Sequence, residues 1–380
     1  MKTAGIICEY NPFHLGHARQ LRLTRERLGE DTVIVCVMSG NYVQRGAPAM
    51  WDKFTRARAA VACGADVILE LPVTSVLQSA EGFARGGVEI LSKIGVDTLS
   101  FGAECADAAC LMAFARKIDT EDFSVSLRQG LDLGLSYAAA RQQALGDTTG
   151  ILSTPNNILG LEYCRAILST GSRMTPLVIH RNGDYHAQTP TQDAPSATSV
   201  RNLYPDGDWR RYVPSPAAEA LSGQPWYKFP FGERAVLARL RALSEEEWSR
   251  CAHGSEGLWS KAMKAARSCA SVEEIIDAAK SKRYPRTRIQ RLLLCAYLGI
   301  TQHDLMQDIS YARILALSDV GRQFIRAAKK NSDLPLVNPG ETPSDRAYYA
   351  LETRSSDLYT LFAVPGSTPV CRMEQNARLF

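Results

Sequence analysis

Residues 3–28 read TAGIICEYNPFHLGHARQLRLTRERL, and their order decides the fold. The apolar run Thr3–Cys8 predicts a strand, EYNPFHLGH a turn, and the stretch from about Ala18 to Leu28 a helix. The same alternation continues. Strands are predicted at Thr32–Val37, Asp66–Leu71 and Asp97–Phe101, with helices from about Lys53 to Cys63 and Ser79 to Ile94. Apolar strands alternating with helices specify an α/β protein with a parallel sheet and right-handed crossovers. In such sheets a ligand sits beyond the carboxyl ends of the strands. Four segments fall there: NPFHLGH, SGNYVQRG, the Leu71-Pro72 corner and FGAE.

Further along, Glu121–Leu145 reads as helical, and a helix starts at STPNNILGLEYCRAIL with Pro155 in its first turn. Arg173–His180 is a fifth strand. Asn182–Ala197 is polar and loop-like, and SATSVRNLY begins another helix. Pro205–Pro230, rich in Pro, Gly and aromatics, reads as a linker. From Glu233 the pattern is mainly helical, and the last 50 residues read as irregular or short-stranded. The expected organisation is residues 1–205, a mainly helical region 206–330 and an irregular segment 331–380.

Composition narrows the class. The 380 residues are 45% hydrophobic and 22% charged with a net charge of +4, which excludes a disordered chain, a coiled coil and a disulfide mini-protein. No apolar run reaches the roughly 18 residues of a membrane span. Glu9 interrupts the N-terminal apolar run before it could serve as a signal peptide. The ten cysteines form no CxxC, and Cys105 with Cys110 lacks the partners of a zinc site. Buried free thiols, a cytoplasmic setting and no metal site made by side chains are the expectations.

His14-Leu15-Gly16-His17 is the strongest chemical signal. It follows a strand and opens a helix, whose N-terminus offers unpaired N–H groups to an anion. Two histidines three apart can face one phosphate, and Gly16 leaves the backbone open to close approach. Imidazole donors aimed at an α-phosphate stabilise the charge that builds during in-line attack. His14 and His17 are therefore the catalytic candidates.

This segment resembles the HxGH motif of the nucleotidyltransferase superfamily, relatives of class I aminoacyl-tRNA synthetases. Ser196-Ala197-Thr198-Ser199-Val200-Arg201 is similar to that superfamily's second motif, Ile-Ser-Ser-Thr-x-Ile-Arg, in which hydroxyls and an arginine hold phosphates. The longer series EYNPFHLGHARQL, MSGNYVQRGAPA, DVILELP, FARGGVEIL, SFGAE, PNNILGLEY, SATSVR, EGL (Glu256–Leu258), KSKRYPRTRIQR (Lys280–Arg291) and YARIL (Tyr311–Leu315) resembles the bacterial tRNA(Met) cytidine acetate ligase family.

That resemblance implies a Rossmann-like nucleotidyltransferase domain followed by a mainly helical domain. It implies that ATP, with magnesium, and acetate give acetyl-adenylate, whose acetyl group passes to the wobble cytidine of elongator tRNA(Met) as N4-acetylcytidine. The implied ATP positions are Ile7, Cys8, Glu9, Tyr10, Asn11, Pro12, Phe13, His14, Leu15, Gly16, His17, Ala18, Arg19 and Gln20, then Gly102, Asn156 and Arg181. Ser196, Thr198 and Ser199 join them through the second motif. Ser39 and Gly40 are further candidates to line the site, and Gln44 and Arg45 to contact substrate or RNA. Arg45, Lys53, Arg56 and Arg58 otherwise read as solvated charges.

The weak net charge hides a gradient: Ser260–Lys330 carries 14 Lys+Arg against 6 Asp+Glu. Lys280, Lys282, Arg283, Arg286, Arg288 and Arg291 surround Tyr284. Cations supply phosphate contacts, and an aromatic among them can stack on an unpaired base. These seven residues are the RNA-binding candidates. A small-molecule nucleotidyltransferase using a phosphorylated acceptor is the alternative, and it leaves this basic run without a role.

Overall fold

The computed structural model describes residues 1–105, 107–148, 150–181, 196–367, 371 and 373–376. The polar stretch predicted at 182–195 lies outside them. The described residues form nine strands: β1 Thr3–Cys8, β2 Val33–Ser39, β3 Tyr42–Val43, β4 Ala47–Pro48, β5 Val67–Leu71, β6 Thr98–Ala103, β7 Thr175–His180, β8 Ala312–Leu317 and β9 Leu336–Val337. Seven form one sheet in the order β7-β6-β1-β2-β5-β8-β9, and β3 and β4 make a small antiparallel hairpin. β8 pairs antiparallel with β5, and β9 runs parallel to β8, so these two strands oppose the other five. The chain steps from β1 to β2 and β5, then returns to β6 and β7 on the other side of β1. The carboxyl ends of β1 and β6 therefore flank the reversal point where α/β sheets bind ligands.

Every residue of β1, β2, β5 and β8 is buried, as expected of strands covered on both faces. Close packing needs small residues where a helix crosses β1. A Cβ on Gly87, in the Ala80–Lys93 helix, would lie 2.5 Å from Ile7 Cδ1, so only glycine fits.

The structure departs from the expected boundaries in four places. Residues 312–317, placed in the helical region, form β8 inside the sheet, and β9 comes from the segment expected to be irregular. A short apolar run such as ARILAL does not distinguish strand from buried helix by periodicity. The same terminal segment also forms a helix over Arg346–Tyr359. The expected linker Pro205–Pro230 is packed structure: Ala217, Ala218 and Leu221 of the Ser215–Leu221 helix join the core on the Lys53–Ala62 helix. One apolar core runs from the sheet into helices between residues 229 and 305, so residue 205 does not separate two cores. The Glu121–Leu145 helix is two helices, Glu121–Asp132 and Tyr137–Leu145. All ten cysteines are free and five are buried.

Candidate nucleotide-activation site

The turn after β1 is fixed by contacts within it and by one to Met50. Tyr10 adopts a left-handed φ of 44°, and its ring packs edge-on to Phe13 and His17, each at 4.8 Å. Asn11 Oδ1 accepts from Met50 N at 2.8 Å. The helix begins at Leu15, three residues earlier than predicted, because His14 itself is the N-cap. Gly16 N donates to His14 Nδ1 at 3.1 Å, and His14 N donates to His17 Nδ1 at 3.2 Å. These bonds decide the tautomers. With each Nδ1 accepting, each neutral ring carries its proton on Nε2. The rings stack at 3.7 Å.

Both histidines are held neutral. Burial, followed by the charges of Arg181 and Arg201, pushes His14 down to about 3. Burial, His14 and Arg181 hold His17 well below the usual histidine range. Neutral rings of this tautomer offer an Nε2–H hydrogen bond and no positive charge.

Around them lies a cavity of about 280 Å³. It is lined by Ile7, Cys8, Glu9, Tyr10, Asn11, His14, His17 and Gln20, and by Gly102, Asn156, Arg181 and Ser196. At least five chain segments thus meet at one place. Gly102 has a steric reason: a Cβ there would lie 2.6 Å from Arg181 Cδ, so the glycine lets the Arg181 stem cross the end of β6. Asn156 Nδ2 donates to Glu104 at 2.6 Å, and Thr154 Oγ1 donates to the same carboxylate at 2.8 Å. Glu104 closes the FGAE segment and aims Asn156. Arg201 joins the two motifs by donating to Asn11 O at 2.6 Å and to Thr198 Oγ1 at 2.9 Å.

Other sequence candidates lie behind the wall. Phe13 is buried in the core, and Pro12, Leu15, Gly16 and Ala18 do not line the cavity. Arg19 donates to His180 O at the exterior. Ser199 is buried, with its hydroxyl in the capping box of the Ala197–Leu203 helix; Thr198 also stands off the cavity. Ser39 is fully buried, and a Cβ on Gly40 would meet Glu70 at 2.4 Å, so this pair belongs to the interior. Lys53 and Arg56, read as solvated, are buried; they are 0% and 1% exposed. Gln44 and Arg45 reach the cavity rim. Phe83, Phe101, Leu159 and Tyr163 line the cavity without having been foreseen, because their sequence pattern is that of ordinary core residues. Among the described residues no three His, Cys, Asp or Glu gather as a metal site, and Glu9 is the one carboxylate lining the cavity.

The basic run behaves differently. Arg283 and Arg288 pair with Glu256 at 3.1 and 2.8 Å, and Arg286 pairs with Glu273 at 2.5 Å. Tyr284 donates its hydroxyl to Glu256 O, and the Arg288 guanidinium lies 5.6 Å from its ring centre. Arg291 is buried. Lys280 and Lys282 are exposed and make no salt bridge among the described residues. The EGL segment thus acts as an anchor for two of the arginines.

Comparison with known proteins identifies the family. A model of the HIGH Nucleotidyl Transferase family matches residues 1–370. The chain is 37% identical over 366 residues to a tRNA(Met) cytidine acetate ligase of Acetivibrio thermocellus, covering 89% of this chain and 88% of the relative. It is 38% identical over 358 residues to the Syntrophotalea carbinolica protein of that name, covering 89% and 84%. The apo structure of Thermotoga maritima TmcAL superposes with a TM-score of 0.91 at 29% identity, over 100% of this chain and 99% of the other. Its complex with alpha-thio ATP gives 0.85, also at 29% identity, over 100% and 97%.

Proposed function

We propose, from the premise that this chain belongs to the HIGH nucleotidyl transferase family and within it to the tRNA(Met) cytidine acetate ligases, how its residues carry out that activity. The protein binds ATP and acts as an ATP-dependent ligase on tRNA(Met). In the first step an acetate oxygen attacks the α-phosphorus and pyrophosphate leaves. The Nε2–H groups of His14 and His17 donate to the oxygens on which charge accumulates. One such donor contributes about 2.7–4 kcal/mol to lowering a barrier. Arg181 neutralises phosphate charge, and Asn156, held by Glu104, offers its amide to the adenine or ribose edge. Magnesium brought with the triphosphate would be held by the phosphate oxygens, with Glu9 the one lining carboxylate able to join them. It would supply further charge neutralisation.

In the second step the N4 amine of the wobble cytidine attacks the acetyl carbonyl carbon. The bond from that carbon to the phosphate oxygen breaks, AMP leaves, and the amine proton passes to solvent. The product is N4-acetylcytidine in elongator tRNA(Met), and the substrates belong in the cytoplasm. The RNA is held by exposed cations of the Lys280–Arg288 run. No helix among the described residues is long and apolar enough to cross a membrane.

One observation carries this reading: two neutral imidazoles with fixed Nε2–H donors share a cavity with Arg181 and Asn156. ATP–pyrophosphate exchange across a panel of carboxylates tests it. Acetate should support exchange, and ATP, acetate and tRNA(Met) together should yield acetylcytidine. His17→Ala should lower acetate-dependent exchange by about 10²–10³. Exchange that needs a phosphorylated acceptor, or a His17→Ala variant with normal exchange, would remove the assignment.

A further inference from the structure

The β3–β4 hairpin belongs to both halves of the molecule. Its tip, Gln44-Arg45, lines the cavity rim. Gln44 N donates to Glu9 Oε1 at 2.8 Å, and Gln44 Nε2 donates to Gln78 O at 3.0 Å, so the tip is tied to the end of β1 and to the segment that follows β5. One residue on, Gly46 has a φ of 79°, and a Cβ there would lie 2.8 Å from the backbone of Gln290 and Arg291. The Arg286–Leu298 helix therefore presses directly on the hairpin, with no room for any side chain between them.

Two features show which side of the cavity this is. In the sheet order, Arg181 follows β7 on one side of β1, whereas the hairpin follows β2 on the other. The triphosphate cation and the hairpin thus flank the histidines from opposite sides. On its outer side the hairpin shares a surface depression of about 300 Å³ with Glu273, Ile276 and Gln290. Glu273 is the residue on which Arg286 rests. Gly46 lines this depression beside Glu273, and the preceding residue, exposed Arg45, lines the cavity, so adjacent residues of the hairpin belong to the two depressions.

We propose that Arg45 contacts a backbone phosphate of the RNA beside the nucleotide that enters the cavity. It then serves acetyl transfer and not adenylation. This rests on the function proposed above, and the wild-type protein checks that function first: failure to acetylate tRNA(Met) sinks the reading before any variant is compared.

Given an active wild type, Arg45→Gln and Arg45→Lys are compared in full-length protein. In Arg45→Gln, acetyl transfer should fall about tenfold more than acetate-dependent exchange does, mostly as a higher KM for tRNA. The slope of log affinity for tRNA against log salt should drop by about 0.7–0.9, the value of one lost phosphate contact. Arg45→Lys, which keeps a cation, should retain the slope. A parallel loss of exchange would assign Arg45 to the triphosphate and overturn the proposal. So would an unchanged transfer rate, or weaker binding with an unchanged salt slope in Arg45→Gln.

Discussion

Positive charge is used in two ways in this molecule. In the α/β core, Lys53 is fully enclosed, bonding to both oxygens of Glu70 at 2.6 and 2.7 Å and also to Glu374. Arg313 bonds Glu374 at 3.1 Å, and Arg56 donates to the carbonyls of Trp51, Glu9, Ser39 and Gly40. In the helical half, Lys280, Lys282 and Arg283 are exposed to solvent and Arg286 is half-buried. The difference lies in what replaces the cation's water. An enclosed cation depends wholly on its protein partners, and they on it. A surface cation can exchange a carboxylate for a phosphate at small cost.

The sharpest way to break this contrast is Lys53→Met. It leaves Glu70 and Glu374 to share Arg313 as their remaining cation, and breaking one side of a buried pair typically costs about 3–5 kcal/mol. Urea unfolding should show a loss of that size. Adding Glu374→Gln should recover part of it, because one of the two carboxylate charges is then gone. A loss below about 1 kcal/mol in the single variant would mean that the cluster is solvated after all.

Glu352 tests the same interior from the acid side. Burial, then the Glu70 charge, raises it to about 8 from an ordinary 4.5, while its Oε1 accepts from Val73 N at 2.8 Å. A folded value above the unfolded one means that stability from this group is complete below about pH 4.5. It is lost as pH rises towards 8. At pH 7 the folded protein must hold a proton that the unfolded chain gives up. Glu352→Gln keeps the acceptor oxygen without that proton, so it should stabilise the protein by about 1–3 kcal/mol at pH 7. The gain should vanish near pH 4. Thermal melts at both pH values measure it, and a destabilised variant at pH 7 would show an ionised Glu352.

The sequence made only part of this contrast legible. The strand, HxGH turn and helix could be read because their causes lie within about 25 residues, and the capping bonds of His14 and His17 join neighbours three apart. Convergence of Gly102, Asn156 and Arg181 on that turn depends on β6 and β7 lying beside β1, an order that no periodicity encodes. Lys53 was misread for the same reason. Its helix, KFTRARAAVA, looks half solvated, and its partner Glu374 stands 321 residues away. The basic run was legible as charge. Its arginines' carboxylates, Glu256 and Glu273, sit 13–32 residues away and were not. Arg291 belongs, by its burial, with the enclosed cations and not with the surface ones.

At the surface the expected order of effects is reversed, with binding changed and folding spared. Lys280→Ala combined with Lys282→Ala should leave urea stability within about 0.5 kcal/mol. Affinity for tRNA(Met) should fall about tenfold, and its salt slope by about 1.4–1.8 for two lost phosphate contacts. Acetate-dependent pyrophosphate exchange should not change, because neither lysine lines the cavity. Normal tRNA affinity in this variant would move the RNA track off the run.

The smallest expected effect is the most discriminating, because it asks whether a surface ion pair is a support or a mask. Arg286 is bidentate on Glu273, and both side chains are partly open to solvent, at 39% and 59%. Exposed pairs contribute about 0–1 kcal/mol, so Glu273→Gln should scarcely alter stability. It should release Arg286 and remove a negative charge from the depression that Gly46 lines. Filter binding at low salt should then show tRNA(Met) held about two- to threefold more tightly, with the difference fading as salt screens it. Weaker binding would instead mean that Glu273 holds Arg286 in the geometry that RNA requires. The run would then resemble the enclosed cations, whose value depends on their carboxylates.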